Sequence, residues 1–92
     1  MQYEWDENKR LANITRHNVD FTYAADFQWD TAIETIDERF DYDEERWVAL
    51  GFIGKRLHVI VYTVRVKTIR LISLRKANNR ERKYYEKQFF KN

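Results

Sequence analysis

Three arginines recur at five-residue spacing, Arg65, Arg70 and Arg75, inside runs of otherwise β-prone residues. A guanidinium is costly to bury among aliphatic neighbours unless it is paired, so these side chains are expected at the rim or in a groove of a sheet. Two readings stay open for them. Each meets a carboxylate in a structural ion pair, or together they grip phosphate bidentately, a geometry that guanidinium groups supply. The last part of the chain adds Arg80, Arg82, Lys83, Lys87 and Lys91. These read as the solvated face of a helix that also helps electrostatic steering.

The histidines divide into two cases. His17 falls at the end of an expected helix, where the dipole favours the protonated form. His58 falls mid-strand beside apolar residues and reads as a satisfied sheet residue. Neither has metal-ligand spacing to a second His or a Glu. Asp41, Asp43, Glu44 and Glu45 lack the glycine and ligand order of an EF-hand and read as a solvated loop. With Gly51 and Gly54 as the only glycines, a glycine-rich phosphate loop is excluded. The chain has no Cys, hence no disulfide and no thiolate nucleophile. No local pattern suggests a Ser-His-Asp triad, and no metal or cofactor is expected. Tyr84 and Tyr85 read as core contacts rather than base-stacking platforms.

The net charge of +2 hides a division. Residues 1–54 carry 5 Lys/Arg against 13 Asp/Glu, and residues 55–92 carry 12 against 2. The second half concentrates phosphate-bearing partners, with nucleic acid the first candidate.

These side chains must be positioned by a single domain, since 92 residues do not divide into two cores. Residues 1–5 alternate as a short strand. Asp6 is expected to cap a helix over 7–17 with Leu11 and Ile14 as its buried stripe, and Asn18 to close it in a left-handed conformation. Asp20 caps a second helix, with Phe21, Ala24, Ala25 and Phe27 as its apolar face. Strands are expected over 31–36, 47–53, 56–64 and 68–75, with an exposed acidic connection over 37–45. Gly54-Lys55 suits a type II′ turn, and Arg65-Val66-Lys67 lie near the turn of a second hairpin. Strict alternation over 68–75 puts Ile69, Leu71, Ser73 and Arg75 on one face, and Arg70, Ile72 and Leu74 on the other. Asn78 and Glu81 have the spacing of a capping box for a last helix through about residue 90, with Tyr85 and Phe89 on its buried side. The order is β-α-α-β-β-β-β-α, an antiparallel-dominated α+β design. The first residues lack the apolar core of a secretory signal, and the longest apolar run is far too short to span a bilayer, so a cytoplasmic protein is expected.

Over nearly its whole length the chain resembles the BrnT toxin family. The resemblance is carried by Tyr3-Glu4-Trp5-Asp6-Glu7-Asn8-Lys9, Asn13 and Arg16-His17-Asn18-Val19-Asp20-Phe21 with Ala24 and Phe27. It continues through Arg46, Leu50-Gly51, Val61-Tyr62-Thr63 with Arg65, Ile69-Arg70-Leu71-Ile72-Ser73 with Arg75, and Arg80-Glu81-Arg82 with Tyr84-Tyr85-Glu86. Each motif is short; their order and spacing together are specific. The resemblance implies a RelE-like fold and a type II toxin that cleaves RNA, blocks translation and is neutralised by a ribbon-helix-helix antitoxin, BrnA, in a hetero-oligomer. It also implies metal-free chemistry, in which the RNA's own 2′-hydroxyl attacks the adjacent phosphate. On that basis Arg65 and Arg75 hold the phosphate, His17 shuttles the proton and Lys9 adds a cation. Arg70, Lys67, Lys76, Arg80 and Lys83 are then expected to bind RNA. The chain departs from the family pattern at Val66-Lys67, where glycine and acidic residues are usual, and at Leu74, where a small Ala is common. A second class of function fits the same basic surface: a non-catalytic inhibitor or binding module, such as a gyrase inhibitor, or a toxin degraded to inactivity.

Overall fold

The computed structural model describes residues 2–38 and 44–90, of Phe90 the backbone only. In chain order these form β1 (Gln2–Glu4), α1 (Glu7–His17), 3-10 helices over Phe21–Asp26 and Trp29–Thr31, β2 (Ile33–Ile36), β3 (Trp47–Ile53), β4 (Arg56–Arg65), β5 (Thr68–Lys76) and α2 (Asn79–Phe90). The strands make one sheet in the order β1-β5-β4-β3-β2, antiparallel except for the parallel β1–β5 pair. The α+β class expected from the sequence is the one found. The second helix is 3-10 rather than α, and Trp29–Thr31 forms another such turn, so the strand expected from residue 31 begins at Ile33.

Local chemistry sets the boundaries. The Asp6 carboxylate accepts from the Asn8 and Lys9 amides at the start of α1, and Asn18 ends it at φ 58°. At α2 the Asn78 side chain accepts from the Glu81 amide, and Glu81 Oε1 accepts from the Asn78 amide, each near 2.9 Å, closing the capping box. Gly54 supplies the positive φ of the β3–β4 turn. Val66 does the same in the β4–β5 turn at φ 54°, a conformation that costs a β-branched residue about 1–2 kcal/mol. Gly51 is required by packing, because a Cβ there would lie 2.6 Å from the Phe27 ring.

Two cores lie on opposite faces of the sheet. Val19, Phe21, Ala24 and Phe27 pack against Ile60, Tyr62, Ile69, Leu71 and Leu74 on one face. Leu57, Val59, Ala77 and Tyr85 close the other beneath α2. Of the expected apolar side of α2, Tyr85 is buried. Phe89 is half exposed and stacks on it at 4.6 Å, and Tyr84, expected as a core contact, is exposed. Asp37, expected in an exposed connection, is buried, and its amide donates to the Arg46 carbonyl at 2.8 Å. Residues 39–43 of that connection, Asp41 and Asp43 among them, lie outside the described residues.

Two departures from the expected pattern bear on function. First, the β4–β5 register runs Val61↔Ser73 and then Tyr62↔Leu71, so Ile72 is an extra residue in β5. The bulge breaks the alternation. Arg70, opposite Thr63, and Arg75, opposite Val59, come to the same face of the sheet together with Ser73, while Leu71 and Leu74 share the other core. Second, the residue that α1 buries is neither Leu11, 49% exposed, nor Ile14, but Asn13. β1 covers β5 only from Thr68 to Arg70. Beyond it the bare β5 edge is met by the Asn13 amide, which accepts from Leu74 N–H at 3.2 Å and donates to the Leu74 carbonyl at 2.7 Å. The same amide nitrogen donates to the Val19 carbonyl at 2.9 Å. Asn13→Ala strands these buried backbone groups, so urea unfolding is expected to show a loss of about 2–4 kcal/mol. A loss below about 1 kcal/mol would contradict the role given to this amide.

Candidate active site

Where α1 runs along the β5 edge it leaves a groove of ≈190 Å³ lined by Lys9, Asn13, Arg16 and His17 from the helix and Ile72 and Ser73 from the strand. Residues 9, 13 and 16 recur at helical spacing, so the Asn13 clamp that fixes α1 also aims these cations at the strand. His17 is half-buried, and its pKa is lowered from the ordinary 6.5 by burial first, then by the charges of Arg16 and Arg75. The expectation that the helix end would favour the protonated ring is thus reversed, since desolvation and two guanidinium groups outweigh the dipole. A neutral imidazole at pH 7 can accept a proton.

Arg75 is held from below. Its guanidinium meets the Glu81 carboxylate in a fork, at 2.9 and 2.7 Å, and Glu81 is the capping-box residue of α2. Arg75 pulls the Glu81 carboxyl below the usual carboxylate range, so the pair is charged on both sides. One carboxylate therefore fixes both the start of α2 and the direction of Arg75.

The other two arginines of the series lie elsewhere on the same face. Arg65 pairs with Glu44 at 2.9 Å, open to solvent, and Arg70 with Glu4 at 2.9 Å, part-buried. Each of the three arginines thus has a carboxylate, and the ion-pair reading holds for all of them. Arg65 lies six residues along β4 from Val59, the partner of Arg75, or about 20 Å along the strand. Arg65 and Arg75, which the resemblance put on one phosphate, are thus held apart on separate carboxylates, Glu44 and Glu81. His17 and Lys9 share the groove, with Arg75 near enough to act on the charge of His17; Arg65 and Arg70 form a second cluster with Glu4 and Glu44.

Among the remaining expected residues, Lys76 is exposed at the end of β5 opposite His58, and Arg80 and Lys83 are exposed on α2. Lys67, in the β4–β5 turn, borders an apolar hollow of ≈600 Å³ with Trp29, Trp47, Tyr62 and Val64, away from the groove. His58 is buried, with Nδ1 2.8 Å from the Arg56 carbonyl, as befits a sheet residue. Sequence reasoning assigned no site role to Ser73, Arg16 or Glu81. Glu81 was legible as a cap, but its hold on Arg75 crosses from strand to helix and left no local signal.

A model of the family described as "ribonuclease toxin, BrnT, of type II toxin–antitoxin system" matches residues 5–81, a span that contains the groove and all three arginines. The chain belongs to the BrnT family. The crystal structure of the Brucella abortus ribonuclease toxin BrnT superposes with a TM-score of 0.61 at 27% identity, covering 86% of this chain and 100% of that one. No curated protein sequence matches the chain. The protein is a ribonuclease toxin of a type II toxin–antitoxin system, with an RNA target and an antitoxin partner. Among the described residues no helix is long and apolar enough to cross a membrane.

The environment of His17 makes a pH prediction. Its folded pKa lies below the ordinary 6.5, so the unfolded chain binds the proton first as pH falls. The stability that the neutral ring contributes is complete above 6.5 and is lost as pH falls through the lower folded value. NMR titration should place the ring below 6.5 in the native protein and higher in Arg75→Ala, which lacks one cationic neighbour. A value at or above 6.5, or one unmoved by Arg75→Ala, would contradict the arrangement.

Proposed function

We propose that the groove between α1 and β5 cleaves RNA without a metal ion, by attack of the 2′-hydroxyl on the adjacent phosphate. His17 takes the hydroxyl proton, and Arg75, backed by Glu81, stabilises the charge growing on the phosphate oxygens with help from Lys9. The proton passes on to the leaving 5′-oxygen, His17 acting as the shuttle. The observation that carries this reading is the half-buried His17, in the field of Arg75, in a groove whose other charged lining residues are Lys9 and Arg16. Its charged lining residues are cations, a donor set that repels a divalent metal and attracts a phosphodiester. Arg65 and Arg70, on the same sheet face but beyond reach of that phosphate, bind the RNA further along, together with Lys76, Arg80 and Lys83.

The pairing of each arginine is compatible with this role. The exposed Arg65–Glu44 pair contributes roughly 0–1 kcal/mol, so a phosphate can replace that carboxylate at little cost, whereas the part-buried, two-bond fork of Arg75 and Glu81 is kept as the support of Arg75. The acidic partners keep the guanidinium groups extended and oriented until RNA arrives. The antitoxin is proposed to be a BrnA-type ribbon-helix-helix protein that covers this basic face, with toxin and antitoxin acting in the cytoplasm.

Purified protein incubated with mRNA in EDTA should leave 2′,3′-cyclic phosphate and 5′-hydroxyl ends. His17→Ala and Arg75→Ala should each lower kcat by about 10²–10⁴-fold, whereas Arg65→Ala should act mainly on KM. RNA left intact in EDTA but cut on adding Mg²⁺, or 5′-phosphate products, would overturn the metal-free mechanism.

A further inference from the structure

A second cavity lies at the end of the sheet where β3 turns into β4, closed on one side by α2. It has a volume of ≈340 Å³ and is lined by Phe52, Lys55, Arg56, Arg82, Tyr85 and Glu86. That volume is within the range of small-ligand sites, about 300–1,000 Å³. Its composition is unusual for a surface hollow. Phe52 and Tyr85 meet edge to face at 5.3 Å, and the Tyr85 hydroxyl is anchored to the Thr31 carbonyl at 2.7 Å, so the aromatic wall is rigid. Lys55, Arg56 and Arg82 supply three positive charges at the rim. Among the described residues Lys55 and Arg56 make no ion pair, and Arg82 donates only to Asn79 Oδ1 at 3.3 Å. This separates them from Arg65, Arg70 and Arg75, each of which has a carboxylate in place.

The cavity adjoins the candidate active site through both elements that build it. Arg82 follows Glu81, the residue that holds Arg75. Arg56 lies three residues before Val59, the partner of Arg75 across β4–β5, or about 10 Å along the strand.

We propose that this cavity is a subsite for one nucleotide of the RNA substrate, flanking the phosphate that is cut. The proposal rests on the ribonuclease reading above and extends it to substrate selection. The base lies against the partly exposed ring of Phe52, which the buried Tyr85 backs from behind, since base–aromatic stacking is worth about 1–3 kcal/mol and needs no particular sequence. The phosphate meets Lys55, Arg56 and Arg82. Glu86, the one carboxylate of the lining, supplies selectivity. Among the four bases, guanine presents two adjacent N–H donors, N1–H and N2–H₂, that one carboxylate can accept together. The subsite therefore prefers guanine.

The test uses the full chain with 5′-GMP as probe, followed by ¹H–¹⁵N spectra, and cleavage kinetics on RNA. Saturable shifts are expected at the Phe52, Lys55, Arg82, Tyr85 and Glu86 amides, weaker with 5′-AMP. They should disappear in the Lys55→Ala/Arg82→Ala double variant. Glu86→Gln should bring GMP binding down to the AMP level. In cleavage, the double variant should raise KM about tenfold with kcat retained, and should flatten the salt dependence by about one phosphate contact. An unchanged KM and salt slope in an actively cleaving double variant would overturn the subsite while leaving the ribonuclease reading intact. So would loss of antitoxin binding with GMP shifts preserved outside the cavity. Specific GMP shifts in a wild-type protein that cuts no RNA would instead support the cavity and remove the cleavage mechanism.

Discussion

The arrangement depends on how the bare edge of β5 is satisfied. β1 is three residues long and pairs with β5 only at its beginning. Beyond Arg70 the strand would present unpaired backbone groups, which cost about 1–3 kcal/mol each when buried. The Asn13 side chain answers with the donor and acceptor of a peptide group, engaging both the N–H and the carbonyl of Leu74. A side-chain amide that takes the place of a neighbouring strand fixes the height and rotation of α1 against the sheet. His17, one turn further along, then lines the groove with Ser73, in the field of Arg75. The third bond of Asn13, to the Val19 carbonyl, ties down the chain leaving the helix. Asn13 thus stabilises the edge and, by the same bonds, sets where His17 lies against the sheet.

The bulge at Ile72 is the second constraint. A regular β5 would put Arg70 and Arg75 on opposite faces, one of them inside the core of Phe21 and Ile60. One extra residue rotates them onto a single face, where both find carboxylates and both are open to a polyanion. The division of charge along the sequence acquires a structural meaning in the same way. Glu4 and Glu44 of the acidic half reach Arg70 and Arg65, so part of the acidic segment folds onto the basic sheet and pairs with it. Arg75 is served from within its own half by Glu81, and is the arginine of the three that adjoins a histidine.

Much of this was legible in the residues. Asp6, Asn18, Asn78 and Glu81 mark helix ends because capping chemistry is local, and α1 has the bounds expected of it. The β3–β4 hairpin was legible at Gly54, since a positive φ leaves a compositional trace. What escaped is what the chain makes at a distance. No glycine marks the bulge, and residues 68–75 read as unbroken alternation. Asn13 is polar, so a search for an apolar stripe chose Leu11 and Ile14 instead. The partners of Arg65 and Arg70 are 21 and 66 residues away in sequence, beyond any spacing rule. The separation of Arg65 from Arg75 follows from strand register, which a sequence motif does not encode.

The central claim is that His17 and Arg75 form one reaction centre at the α1–β5 seam and that Arg65 stands outside it. The most direct measurement is a pair of double-mutant cycles on kcat for RNA cleavage, His17→Ala with Arg75→Ala and His17→Ala with Arg65→Ala. Residues acting on one transition state are strongly non-additive, whereas distant ones add. The account predicts that the first double variant is scarcely slower than the slower single variant, and that the second cycle is additive. Additive losses for His17 and Arg75, with coupling between His17 and Arg65, would contradict it.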